Sequence, residues 1–176
     1  MERASKAGVR PFRGSHYALE FCELRAIEVE WISLIANELA QLEPWHTLAY
    51  TSDALGRYLS AGGHDSMRFA VIKEGEIAGV VCVRFPWLRG AYLELIGLFP
   101  QAQGRGIGRA VCEWLEQEVS GHVDNLWTLV SSFNLPARRF YSNCRFMEIG
   151  VLKDFVRLGY DEILMRRITN KPISQV

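Results

Sequence analysis

Between Gln103 and Arg109 the chain reads Gln-Gly-Arg-Gly-Ile-Gly-Arg, with Gly104, Gly106 and Gly108 at alternate positions. An apolar run, Tyr92 to Phe99, precedes this loop and is broken by Pro100. Ile107, Val111, Leu115 and Val119 follow at helical spacing. Strand, glycine loop and helix in that order form an anion cradle. The first N–H groups of a helix have no partner inside it, and the helix dipole favours negative charge there. Glycine lets the backbone come close to a bulky anion and adopt positive φ. The anion is narrowed by what the loop lacks. Gly-Lys-Ser/Thr is absent, which excludes a Walker-type nucleotide loop. A Gly-x-Gly-x-x-Gly fingerprint fails because its third place falls on Arg109 or Val111. From these residues alone, a tight strand-to-helix connection with no ligand stays open.

Two further side chains have types suited to proton chemistry. Glu94 is an isolated carboxylate in the apolar run. It either meets a proton or a cation, or is a strand residue paired with an arginine such as Arg84 or Arg89. Tyr141, beside Phe140, is either a core aromatic on an amphipathic helix or a phenol, protonated at neutral pH because its pKa is about 10.

The elements that must position these residues follow from apolar periodicity. Tyr17–Leu24 alternates as a first strand, and a helical stripe runs from Ile27 to Leu42 until Pro44. Ser52 is the expected N-cap of a short helix, Asp53–Leu59, closed by Ala61-Gly62-Gly63. Arg68–Lys73 and Glu76–Phe85 flank Glu74-Gly75, a two-residue hairpin turn. After the glycine loop and its helix, Leu126–Ser131 reads as a strand and Leu135–Cys144 as a helix with Pro136 in its first turn. Met147–Leu152 and Glu162–Ile168 close the chain as strands. The order β-α-α-β-β-β-α-β-α-β-β predicts an α/β (α+β) fold: a mixed, mostly antiparallel central sheet of about six to seven strands with helices on both faces. Residues 1–14 are expected to be a flexible leader, 15–168 a single domain and 169–176 a tail.

Composition sets the limits. With 176 residues there is ample chain for one core. Lys+Arg and Asp+Glu are each 20, so no bulk charge steers nucleic acid here, and no nucleic-acid partner is expected. Cys22, Cys82, Cys112 and Cys144 are scattered without a CxxC pair and read as reduced core residues, so no metal site is expected. No run approaches the ~18 apolar residues of a spanning helix. The expectation is a cytoplasmic protein with no membrane partner.

Gln103-Gly104-Arg105-Gly106-Ile107-Gly108 resembles the Gln/Arg-x-x-Gly-x-Gly/Ala pyrophosphate loop of the GNAT superfamily of N-acetyltransferases. Ser131–Phe146 resembles that superfamily's Asn-x-x-Ala-x-x-(Phe/Leu)-Tyr-x-x-x-Gly-Phe segment, at Asn134, Ala137, Phe140, Tyr141 and Phe146. The usual glycine is replaced by Arg145, at a turn that strains a non-glycine residue if it needs positive φ. The resemblance runs from about Phe69 to Ile168 and implies the GNAT fold. It also implies direct acetyl transfer from acetyl-CoA to a primary amine in a ternary complex. Tyr141 is then the general acid for the leaving thiol and Glu94 the base or amine-binding group. The backbone of Ile96, Gly97 and Leu98 meets the oxyanion and the pantetheine arm. The loop amides from Gln103 through Gly104, Arg105, Gly106, Ile107, Gly108 and Arg109 take the pyrophosphate, with Asn134 and Tyr141 completing the coenzyme site. Trp45, His46, Tyr50 and Trp87 are candidates for the acceptor wall, although aromatics in such a loop also serve as lid packing. Neutral charge and Glu94 favour a small cationic amine over a protein N-terminus or lysine, and a homodimer through the terminal strands is allowed for. The alternative is a module of the same fold that holds coenzyme A without turnover; Asn134 and Tyr141 argue against it.

Overall fold

Eight strands form one sheet in the order β1-β2-β3-β4-β5-β6-β8-β7. They are β1 (His16–Ala18), β2 (Glu23–Ala26), β3 (Ser66–Lys73), β4 (Glu76–Trp87), β5 (Gly90–Leu98), β6 (Asn125–Ser131), β7 (Met147–Arg157) and β8 (Tyr160–Ile168). Every pairing is antiparallel except β5 with β6, which is parallel. The computed structural model describes residues 10–169; residues 1–9 of the expected leader and 170–176 of the expected tail lie outside the described residues.

The sheet has one strand more than expected because Tyr17–Leu24 is a hairpin rather than a strand. Leu19 N–H closes the turn on Cys22 O at 2.8 Å, and β1 pairs back on β2. Of the expected leader, the described end is anchored: Phe12 is 4% exposed in the core and its N–H donates to a Glu118 carboxylate oxygen at 2.9 Å.

Helices cover both faces. On one lie α1 (Ile32–Ala40) and α2 (Ser52–Ser60), on the other α3 (Ile107–Val119) and α4 (Leu135–Asn143). The predicted α3 stripe is the buried one, with Ile107, Val111, Leu115 and Val119 all fully covered. The α2 cap falls one residue earlier than expected: Thr51 Oγ1 accepts from Ala54 N–H at 3.1 Å. Glu74 and Gly75 both have positive φ, as a tight hairpin turn of this hand requires.

Two irregularities in β5 shape the centre of the sheet. Cys82 pairs with Leu95 and Val83 with Leu93, so Glu94 is an extra residue in a β-bulge. The bulge re-aims the strand: Leu93 belongs to the core under α3 and α4, Leu95 to the core under α1 and α2. The parallel pairing of β5 with β6 covers only Ala91–Leu93 and Leu126–Thr128, after which the two strands part. Thr128 pins the last pair, its hydroxyl donating to Leu93 O at 3.1 Å.

Candidate active site

The glycine loop lies at the N-terminus of α3, beside the end of β5. Gly106, the N-cap, has φ +81° and no side-chain cap, and no acidic residue occupies the first helical turn. The leading N–H groups of a 13-residue helix are thus left to whatever anion approaches. Gly104 has φ +69° with open space where a side chain would stand, whereas a Cβ on Gly106 would come within 2.9 Å of the Phe21 ring. The loop fits the diphosphate expected from sequence. Arg105 and Arg109 are exposed. The Gln103 side chain, also exposed, donates to Leu98 O at 2.8 Å and ties the loop to β5.

Tyr141 sits on α4, 6% exposed, on the α3/α4 face. Its ring packs against Phe140 and, edge-on, against Phe146 at 5.5 Å. Burial raises its pKa above the ordinary phenol range; the neighbouring Thr128 hydroxyl, which also pins the last β5–β6 pair, offsets part of that. The phenol therefore keeps its proton beside the point where the strands part.

Both ends of α4 are fastened in ways that hold Tyr141. Asn134 Oδ1 accepts from Ala137 N–H at 3.2 Å, so Asn134 acts as the N-cap. At the other end Phe146 N–H donates to Tyr141 O and Arg145 N–H to Ser142 O, both at 3.0 Å, a Schellman motif. Arg145 occupies its left-handed position at φ +67°, where the sequence lacks the usual glycine.

The opposite face carries charge. Glu94 Oε1 accepts from Arg84 Nη2 at 2.8 Å, the arginine pairing left open in the sequence, and the Glu94 side chain is 17% exposed. Its other oxygen is buried with no hydrogen-bond partner in the protein. Trp87 stacks on Tyr92 at 4.6 Å, and Tyr92 is level with Trp127 across the parallel pair. Burial, then the charges of Glu94 and Glu162, hold the Tyr92 phenol well above its ordinary pKa.

The other expected residues are placed differently from one another. Gly97 is bare because α1 needs the space: a Cβ there would lie 2.3 Å from Leu39 Cδ2 and 3.3 Å from the Trp45 ring. On that side of the strand the space is taken by Leu39 and Trp45. Trp45 packs with the α1/α2 core, and His46, with its side chain 67% exposed, lies 3.8 Å from Glu43. Arg157 Nη1 donates to Leu48 O at 2.8 Å, holding the loop that carries Tyr50 over this face. Tyr92 and Glu162 were missed in the sequence. Each reads as an ordinary strand residue, and only the topology brings them together.

Comparison with known proteins agrees with this geometry. The model of the "Acetyltransferase (GNAT) family" matches residues 28–146. A spermidine N-acetyltransferase chimera from Vibrio cholerae SpeG and hSSAT is similar at 22% identity over 89% of this chain and all of its own, with a TM-score of 0.68. RimL, the ribosomal L7/L12 alpha-N-protein acetyltransferase solved in complex with coenzyme A, is 17% identical over 87% of this chain and 97% of its own, with a TM-score of 0.70. The microcin C7 self-immunity acetyltransferase MccE, solved with acetyl-CoA and AMP, is 18% identical over 85% and 93%, with a TM-score of 0.67. No curated protein sequence gives a significant match. The glycine loop on α3, the parted β5 and β6, the buried phenol beside Thr128 and the match across residues 28–146 lead to one conclusion: this chain belongs to the GNAT family of acyl-CoA-dependent N-acetyltransferases.

Proposed function

We propose that this enzyme moves an acetyl group from acetyl-CoA to a small cationic primary amine by direct transfer in a ternary complex. The observation that carries the reading is the buried Tyr141 phenol beside the opening between β5 and β6. Acetyl-CoA, once bound, supplies an activated acyl carbon and a thiol leaving group. The loop amides from Gln103 to Arg109 hold its diphosphate, and the backbone of Ile96, Gly97 and Leu98 binds the arm as an added strand. Those same β5 amides steady the developing oxyanion. Tyr141 gives its proton to the departing sulfur. Burial keeps the phenol protonated until the sulfur departs. Asn134 and the Schellman turn keep the phenol in position.

On the acceptor side, Glu94 offers negative charge beside the aromatic pair Trp87 and Tyr92, and Trp45 with Tyr50 belongs to the covering loop. That environment favours an ammonium over an anionic acceptor. All four cysteines are free and buried, which supports a reducing, cytoplasmic setting, and no helix among the described residues is long and apolar enough to cross a membrane. The edge strand β7 exposes Met147, Ile149, Val151 and Phe155, which supports pairing of two copies there.

Thiol release from acetyl-CoA across an amine panel tests the reading, with Tyr141→Phe as the control. The expected outcome is a fall in kcat of about 100-fold or more with coenzyme A affinity retained. Equal turnover in that variant removes Tyr141 from the chemistry. Coenzyme binding with no turnover for any amine leaves the binding module as the answer.

A further inference from the structure

We infer that Glu162, on β8, rather than Glu94, is the carboxylate that receives the acceptor's ammonium and takes its proton. This rests on the acetyl-transfer reading above. Three observations lead to it. Glu94 is already compensated, since Arg84 meets one of its oxygens at 2.8 Å. Glu162 is 4% exposed and meets no cation among the described residues; its one hydrogen bond is from the neutral Ser131 hydroxyl, at 2.7 Å. A buried carboxylate with no counter-charge is costly, and proteins keep such groups where they do chemistry. The third observation is position. Ser131 is the last residue of β6, the strand that leaves β5, and Glu162 pairs with it in register. Glu162 shares the Trp127 face of the sheet, opposite Tyr141, and its charge is felt by Tyr50 in the covering loop and by Tyr92 on β5. An amine entering between these tyrosines meets an uncompensated anion on one wall and the thioester on the other.

The balance of the step is simple. The ammonium gives one proton to Glu162, leaving a neutral amine and a carboxylic acid. The amine nitrogen forms the C–N bond as the C–S bond breaks, and the sulfur takes the Tyr141 proton. The proton shed by the new amide nitrogen restores the phenol, and Glu162 returns its proton to solvent. Burial favours the neutral acid, while the Ser131 hydrogen bond favours the carboxylate. The groups facing Glu162 are Ser131 from β6, Leu152 from β7, Tyr50 from the loop and Tyr92 from β5. Behind Tyr92 stand the Glu94–Arg84 pair, and Arg157 on β7 is engaged by Leu48 O.

The test uses the full chain with acetyl-CoA and three probes: spermidine, tyramine and a peptide with a free N-terminal alanine. The amine turned over fastest carries the variants. Glu162→Gln is expected to lower kcat by about 100-fold or more and to abolish the acidic limb of the kcat/KM profile, with coenzyme A affinity retained and Tm not lowered. Glu162→Asp is expected to restore part of kcat. Ser131→Ala, which deletes the bond that favours the charged form, is expected to move the acidic limb to higher pH; this variant keeps the test open if Glu162→Gln does not fold. Glu94→Gln is expected to raise the acceptor KM more than it lowers kcat. A Glu162→Gln enzyme with wild-type kcat and pH profile overturns the inference, as does an acidic limb that vanishes in Glu94→Gln instead. Parallel losses of Tm and coenzyme binding in Glu162→Gln, with Ser131→Ala leaving the limb in place, also overturn it by making the pair structural. A wild-type enzyme that turns over none of the probes overturns the acetyl-transfer reading itself, and the inference with it.

Discussion

The two faces of the sheet are finished to different degrees. Under α3 and α4 the packing is continuous and apolar, from Phe69 and Val81 through Leu93 and Ile107 to Tyr141 and Phe146. Under α1 and α2 the apolar core gives way to Tyr58, Ser66, Arg68, Arg84 and Glu94. There the Tyr58 hydroxyl, Ser66 Oγ, Arg68 Nε and Glu94 Oε2 are buried with no hydrogen-bond partner in the protein. Only Trp114 Nε1 and Arg167 Nε share that condition elsewhere among the described residues. Buried polar atoms are normally paired, and here they gather on one face, where the Glu94 charge is felt at the Tyr58 hydroxyl. The difference separates two tasks. Under the proposed function, one face fixes the coenzyme and the other keeps adaptable polarity for an acceptor.

Substitutions can break that division, and the largest effect is expected at the coenzyme loop. Gly106→Ala places a Cβ 2.9 Å from the Phe21 ring at φ +81°. Displacing the loop by that contact should weaken coenzyme A about tenfold, equivalent to about 1.4 kcal/mol, as isothermal titration would show. The KM for the amine should change little if the two faces are independent.

Arg84→Ala probes the other face. It leaves Glu94 Oε1 without its 2.8 Å partner while touching nothing on the coenzyme side. Because Arg84 is itself 40% exposed, the stability loss should stay within about 1 kcal/mol. The acceptor KM should shift several-fold, with the coenzyme Kd unchanged. A matching change in both constants would show that the faces are coupled.

Stability against pH sharpens the comparison further. Burial raises the folded-state pKa of Glu162 above its unfolded value, so the native chain holds a proton there that the unfolded chain has released. Its contribution is fully present below the ordinary glutamate pKa of about 4.3 and is lost as pH rises through the folded value. Urea denaturation should therefore show Glu162→Gln gaining on the wild type across that window, with the two converging at lower pH. A gap that does not change with pH would contradict it.

The smallest effect is expected at the helix end behind Tyr141. Arg145→Gly relieves the left-handed strain at φ +67° but loses the exposed Glu116 contact at 3.3 Å. A net gain of up to about 1 kcal/mol, or a Tm rise of about 2–4 °C, should follow with activity intact.

The same contrast explains what could be read from the chain. The proposed coenzyme site is encoded in two contiguous stretches, Gln103–Arg109 and Asn134–Phe146, whose residue types state their own geometry. The Arg145 strain could be anticipated from one missing glycine. The proposed acceptor side is assembled from β3, β4, β5, β8, α2 and the loop before α2. Glu162 lies 68 positions from Glu94 with nothing local to link them. Tyr17–Leu24 read as one strand because its alternation continues through the turn, and the Leu19–Cys22 hydrogen bond leaves no mark in composition. Nothing local to β5 records that Leu39 of α1 occupies the space beside Gly97.

The most direct trial is a crystal structure with coenzyme A bound. Its diphosphate is expected on the amides around Gly104–Arg109, its arm along Ile96–Leu98, and its sulfur within contact of the Tyr141 hydroxyl and facing the side of the sheet that carries Glu162. Coenzyme seated elsewhere, or sulfur out of reach of that phenol, would contradict the proposed function.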